Sequence, residues 1–203
     1  LRKYNGFDAT VLPPPLNDPE RFPGGQGEGY VFAGGRVNGM KRQHLLVEAM
    51  VHAGPGSRLV VAGPPDTPED AVRLQELVER HGLADRVRLD LRFLARAEYA
   101  DYLNRSNAVA YLPFDEDSLG YVAMEAATAG KPIISTTDSG GILGLALHQS
   151  TGWVVAPDPA ALAGAIDAAV TGARRGEDYG RAARELWQGL GIDWATTIEA
   201  LIR

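Results

Sequence analysis

From Tyr30 onward the chain alternates short β-branched apolar runs with longer amphipathic stretches, and this alternation constrains the fold more than any other feature. Strand candidates fall at 30–33, 58–62, 86–89, 108–112, 132–136 and 152–155. Several are almost continuously apolar, the pattern of strands covered on both faces. Helix candidates lie between and after them, at 41–52, 68–81, 95–104, 119–129, 159–171, 178–190 and 194–203. Thr67-Pro68 and Asp158-Pro159 each set a capping side chain before a proline at the first helical position. Gly82 and Gly130 stand where helix C-terminal glycines belong, and Asp193 is placed to cap the last helix. The expectation is an α/β fold, a Rossmann-like parallel sheet with helices on both faces. Such sheets bind ligands beyond the carboxyl ends of their strands, so the strand-to-helix loops are where chemistry is expected.

At 203 residues the chain is long enough for one domain with a sizeable core plus a linker. Residues 1–29 carry five prolines and read as a connector, 30–190 as the α/β domain, and 191–203 as a C-terminal helix. A chain that opens on Leu1 inside such a connector is expected to be a fragment of something longer. The formal net charge of −6 recommends neither a nucleic acid nor an anionic membrane surface as partner. Cysteine is absent, which removes disulfides and thiolate metal sites. No apolar run is long enough to span a bilayer, and a cytoplasmic location is the resulting expectation. His44, His52, His81 and His148 form neither a zinc spacing nor a nucleophile–histidine–acid set.

Three loops have the composition to carry chemistry. The first reads Gly34-Gly35-Arg36-Val37-Asn38-Gly39-Met40-Lys41. Its glycines let backbone pass close to a ligand, and Arg36 and Lys41 bring two cations to an expected helix start. That combination suits a diphosphate, although a plain turn with two solvated cations has the same composition. The spacing is neither the dinucleotide fingerprint nor a P-loop, which disfavours a nicotinamide-dependent oxidoreductase. The second loop, Pro113 to Gly120, leads into Tyr121-Val122-Ala123-Met124-Glu125-Ala126. Glu125 is the one charged residue between Asp117 and Lys131, and a carboxylate in so apolar a helix needs a partner. A ligand hydroxyl, a backbone donor or a cation would serve. Gly120 and Tyr121 offer N–H groups at a second helix start. Asp115, Glu116 and Asp117 are consecutive and cannot all face one ion, so no metal site is expected. The third loop, Thr136 to Gly141, again permits close backbone approach.

Taken in order, these segments resemble the C-terminal, donor-binding domain of the group 1 (family 4) retaining GT-B glycosyltransferases. The similarity runs over nearly the whole chain, from the connector Phe7-Asp8-Ala9-Thr10-Val11-Leu12-Pro13-Pro14 through Gly35-Arg36…Lys41, Val61-Ala62-Gly63 and Leu112-Pro113. Its most specific stretch is Asp117 to Ala126, followed by Gly130-Lys131-Pro132-Ile133-Ile134, which looks like the family's pair of acids separated by seven residues. Gly140-Gly141 and Thr151-Gly152-Trp153-Val154-Val155 follow in the family's order.

The resemblance implies a role for each matched residue. Arg36 and Lys41 would hold the donor diphosphate and stabilise the leaving group, and Asp117 would face the donor sugar. Gly35, Leu119, Gly120 and Tyr121 would line the donor, and Glu125 would accept hydrogen bonds from the ribose hydroxyls. The implied reaction transfers a sugar from a nucleoside diphosphate sugar to an acceptor with retention, without a metal or other cofactor. It also implies a missing N-terminal domain that supplies the acceptor side, and hence a fragment inactive alone. This sequence departs from the family pattern at Asp117, where Glu is usual, and at Gly144, where many members carry Glu. A noncatalytic nucleotide-sugar-binding domain and half of a nucleotide-sugar epimerase are the alternatives. The spacing from Asp117 to Glu125 weighs against the epimerase.

Overall fold

The computed structural model describes residues 6, 8 and 12–202. Phe7, Ala9, Thr10 and Val11 of the connector, and Arg203 at the end of the last expected helix, lie outside the described residues. Six strands, β1 (Val31–Gly34), β2 (Leu59–Ala62), β3 (Val87–Asp90), β4 (Ala108–Ala110), β5 (Ile133–Thr136) and β6 (Gly152–Val155), form one sheet. All neighbours pair in parallel, in the order β3-β2-β1-β4-β5-β6. The chain order reverses between β1 and β4, and the crevice at their carboxyl ends is the topological switch point where doubly wound sheets bind ligands.

The helices are α1 (Gln43–Ala49), α2 (Pro68–Arg80), α3 (Arg96–Arg105), α4 (Tyr121–Thr128), α5 (Pro159–Thr171), α6 (Ala173–Gly189) and α7 (Trp194–Ile202). Strand residues alternate between two cores, as a period of two requires. Val31, Ala33, Val61 and Ile134 face Leu46, Leu77 and Ile166 of α1, α2 and α5. Phe32, Val60, Val109 and Ile133 face Leu103, Met124 and Trp187 of α3, α4 and α6. Leu16 and Phe22 pack into this second core. The apolar runs were therefore strands buried on both faces.

Three boundaries differ from the sequence expectation for reasons that bear on the site. The helix expected at 41–52 spans only Gln43–Ala49, because Arg42 adopts φ 55 and the Asn38 side chain accepts from the Lys41 amide at 2.8 Å. Lys41 thus lies in the turn before α1, which corrects its placement at a helix start. The helix expected from 119 begins at Tyr121, since Gly120 has φ 74. The strand expected at 108–112 ends at Ala110, and the carbonyls of Leu112 and Pro113 are claimed by the Arg42 guanidinium at 2.8 and 3.0 Å. Elsewhere, α6 begins earlier than the expected residue 178, at Ala173. The capping signals hold: Thr67 and Asp70 form a capping box, and Asp158 accepts from the Ala160 and Ala161 amides.

Candidate functional site

The sheet fixes the first loop through Gly35, whose φ of 104 turns the chain away from β1 while its N–H bonds the Ala62 carbonyl at 3.1 Å. Gly63 is opposite, with φ 141, and a β-carbon there would strike the Gly35 carbonyl oxygen. The two loops leave β1 and β2 back to back. Arg36 follows with its side chain 71% exposed and a loose ion pair to Asp66 at 3.5 Å. It is the most available cation among the expected site residues.

Lys41 is placed differently, with its side chain only 19% exposed. Its ammonium donates to the Tyr111 hydroxyl at 2.6 Å and to the Glu116 carboxylate. The Tyr111 hydroxyl in turn donates to the other Glu116 oxygen at 2.8 Å. Burial, and then the Glu116 bond, raise the Tyr111 hydroxyl well above the ordinary phenol range. Burial alone would raise Glu116, but the bonds from Lys41 and Tyr111 outweigh it and hold the carboxyl below its ordinary value. The Tyr111 ring packs where a Gly120 side chain would otherwise stand, so only glycine fits at the start of α4. Tyr111 therefore joins Lys41 of the first loop to Gly120 of the second. At the start of α4 the Ala123 and Met124 amides donate to the Gly120 carbonyl, while those of Tyr121 and Val122 have no intrahelical acceptor and present partial positive charge.

Arg42 ties the loops together from below. It is buried, and its guanidinium forks onto both Asp138 oxygens at 2.8 and 2.9 Å. It also donates to the Thr136 hydroxyl and to the carbonyls of Leu112 and Pro113. One side chain thus connects the loops after β1, β4 and β5. The paired glycines Gly140-Gly141, whose composition permits close backbone approach, admit the protein's own acidic loop. The Gly141 amide bonds the Glu116 carbonyl at 2.5 Å, and side chains at either glycine would strike that loop's backbone.

Glu125 is 3% exposed, and its partner is a cation, the Arg96 guanidinium at 2.5 Å. Arg96 also lies over the Phe22 ring at 4.7 Å and the Tyr99 ring at 5.7 Å. Burial pushes the Glu125 carboxyl up, and Arg96 opposes that only in part. The buried Tyr99 hydroxyl is raised by burial first and by the neighbouring Glu125 carboxylate second.

Two cavities adjoin these groups. One, of about 440 Å³, opens beyond β1 to β3 between Gly35, Arg36, Gly63, Phe93, Arg96 and Tyr99. The other, an apolar groove of about 530 Å³, is lined by Asp117, Leu119, Gly120 and Tyr121 together with Pro13 and Gly144. The expected residues thus fall into two adjoining groups. Gly35, Arg36 and, through Arg96, Glu125 belong to the first cavity. Asp117, Leu119, Gly120 and Tyr121 belong to the groove, with Lys41 held between the groups by Tyr111. The acidic run diverges, Glu116 turning in to Lys41 and Asp117 outward to the groove. Among the described residues no three histidine or carboxylate side chains gather in a metal-binding set.

The sequence reading gave no role to Arg42, Arg96 or Tyr111. Arg96 and Arg42 sit in polar stretches where a surface cation is the ordinary reading, and Tyr111 lies in an apolar run just past β4. Nothing local marks them, because the contacts of Lys41 with Tyr111, Arg42 with Asp138 and Arg96 with Glu125 span 70, 96 and 29 residues.

The fold and these loops define a doubly wound α/β domain with its candidate site at the carboxyl edge of the sheet. The chain belongs to the group 1 glycosyl transferases, whose family model matches residues 17–186. It is 31% identical over 171 residues to the D-inositol 3-phosphate glycosyltransferase of Mycobacteroides abscessus, covering 83% of this chain and 37% of that protein. Among solved structures it superposes on sucrose-phosphate synthase from Thermosynechococcus elongatus with a TM-score of 0.82 and 25% identity, over 98% of this chain and 53% of the other. A structure of Anabaena HepE in complex with UDP and glucose shares the fold, with a TM-score of 0.77 at 22% identity, over 86% and 47% of the two chains. The chain therefore spans about half or less of the length of these relatives. Its fold is the Rossmann-like half of the GT-B architecture.

Proposed function

We propose that the chain is the donor-binding half of a retaining sugar transferase, taking a nucleoside diphosphate sugar and working with an N-terminal domain that carries the acceptor. The observation that carries this reading is the placement of Lys41 against the start of α4 through Tyr111. A partly shielded ammonium near the open N–H groups of Tyr121 and Val122 suits a phosphate group. Arg36, exposed at the mouth of the adjoining cavity, adds a second charge for the diphosphate. Stabilising the charge that develops on the departing diphosphate is then the main catalytic contribution of this half, with no metal or other cofactor required. Glu125 accepts from the ribose diol: a carboxylate offers roughly four lone-pair sites, and one guanidinium does not exhaust them. Asp117 faces the sugar, one methylene shorter than the glutamate of the family pattern, with the backbone of Leu119, Gly120 and Tyr121 beside it.

Calorimetry with UDP, GDP and ADP tests the reading. Removing one charge-assisted contact should weaken binding of the preferred nucleotide by about 1.5–3 kcal/mol in Arg36→Ala and Lys41→Ala. Unchanged affinity in both variants would refute the site. In transfer assays this chain alone should be inactive, because acceptor positioning and exclusion of water contribute much of the rate and belong to the other half. A longer protein that binds donor but transfers to no acceptor would instead favour a noncatalytic binding domain.

A further inference from the structure

The Lys41 ammonium is already engaged by an anion in the free chain, and that anion belongs to the protein. One Glu116 oxygen accepts from Lys41 and the other from the Tyr111 hydroxyl, so the carboxylate meets the cation much as a phosphate oxygen would. Both partners bond Tyr111, and they differ in exposure. Lys41 is 19% exposed, with its ammonium also bonded to Tyr111 and lying 4.9 Å from that ring's centroid. Glu116 is 28% exposed, and its backbone is stitched to the neighbouring loop through the Gly141 amide and a bridge to Gly140. The Glu116 side chain can therefore turn to water by rotamer change alone while the loop and Lys41 stay in place.

We propose that Glu116 is an internal counter-ion that occupies Lys41 in the free protein and is displaced by the phosphates of the donor, so that it sets affinity for the diphosphate and not for the nucleoside. This rests on the donor-site reading of Lys41. Two consequences follow from the geometry. Between ligands the carboxylate neutralises the partly shielded ammonium, which keeps the site ordered. During binding it competes with the incoming anion, and a carboxylate left beside a bound diphosphate would repel it.

The opposite arrangement, in which Glu116 merely aims Lys41 at the phosphate, predicts the opposite sign. The test is calorimetric titration of the full chain with UDP, GDP and ADP and, in parallel, with uridine, guanosine and adenosine. Wild type, Glu116→Gln, Glu116→Ala and Lys41→Ala are compared, with melting temperatures recorded for each. Displacement predicts that Glu116→Gln and Glu116→Ala bind the preferred nucleoside diphosphate about fivefold more tightly, the equivalent of ~1 kcal/mol for a part-exposed ion pair, with nucleoside affinity unchanged. Equal or weaker diphosphate binding by both variants, at native melting temperature, overturns it. So does equal tightening toward nucleoside and diphosphate. Two failures belong instead to the underlying reading: a wild-type chain that binds no nucleoside diphosphate, or a Lys41→Ala chain that binds it undiminished. Weakened binding in Lys41→Ala together with no gain in either Glu116 variant rejects the counter-ion alone.

Discussion

Replacing Arg96 by alanine should unmask the cost of burying Glu125. In the intact chain the carboxylate is 3% exposed and its ion pair is with Arg96. Breaking a fully buried pair by removing one partner costs about 3–5 kcal/mol, because the remaining charge is left uncompensated. The Arg96 side chain is 36% exposed, so water can approach from its side and the expected cost falls to about 2 kcal/mol. For a chain of this size each kcal/mol corresponds to roughly 2–4 °C, giving a melting temperature lower by about 4–8 °C. Part of that loss comes from stripping the guanidinium off the Phe22 ring. The electrostatic part is separable. In Arg96→Ala/Glu125→Gln the uncompensated charge is gone, and about 1 kcal/mol should return relative to Arg96→Ala. Urea denaturation of wild type, both single variants and the double variant completes the cycle. An Arg96→Ala chain within a degree of wild type, or a double variant no more stable than Arg96→Ala, would refute the claim that Arg96 sustains this carboxylate.

Other consequences follow from the same geometry. Gly63→Ala combines a φ of 141 with a collision against the Gly35 carbonyl, and should cost about 3 kcal/mol or more while disturbing the Arg36 loop; denaturation and nucleotide titration read the two effects. Arg42→Lys keeps the charge but loses the fork onto Asp138 and the bonds to Thr136 and the Leu112 and Pro113 carbonyls, so a loss of about 2–4 kcal/mol is expected by urea denaturation. His44 is held down to about 4 by burial first and then by the charges of Arg73 and Arg42. With the folded value below the ordinary 6.5, the native state binds fewer protons than the unfolded one across that window. Stability should be complete above about pH 6.5 and fall by on the order of 2 kcal/mol toward pH 4, a slope that His44→Gln should flatten in pH-dependent melting.

Much of the fold was legible because it depends on local pattern. Continuous apolar runs such as Val31 to Ala33 and Ile133-Ile134 specify strands covered on both faces, and Thr67-Pro68 and Asp158-Pro159 mark helix starts by chemistry contained within a few residues. The loop positions were legible for the same reason, since in a parallel sheet the segments that leave the strands, with Gly35, Arg36 and Gly120 among them, stand at its carboxyl edge. The strand order required the tertiary structure, because each parallel pairing joins segments far apart in the chain and no local pattern says which of them are neighbours. So did the occupancy of the charges. That Glu125 meets Arg96, that Lys41 meets Glu116, and that Arg42 binds three loops are outcomes of how the helices and loops stack on the sheet. Each pair is joined by geometry across 29 to 96 residues, a distance over which no periodicity carries information. The sequence by itself determined the elements and which loops stand at the carboxyl edge of the sheet. Tertiary packing alone decided which of its charges stand open at that edge and which are already paired, because ion pairing depends on separations of a few ångströms that only the folded chain sets.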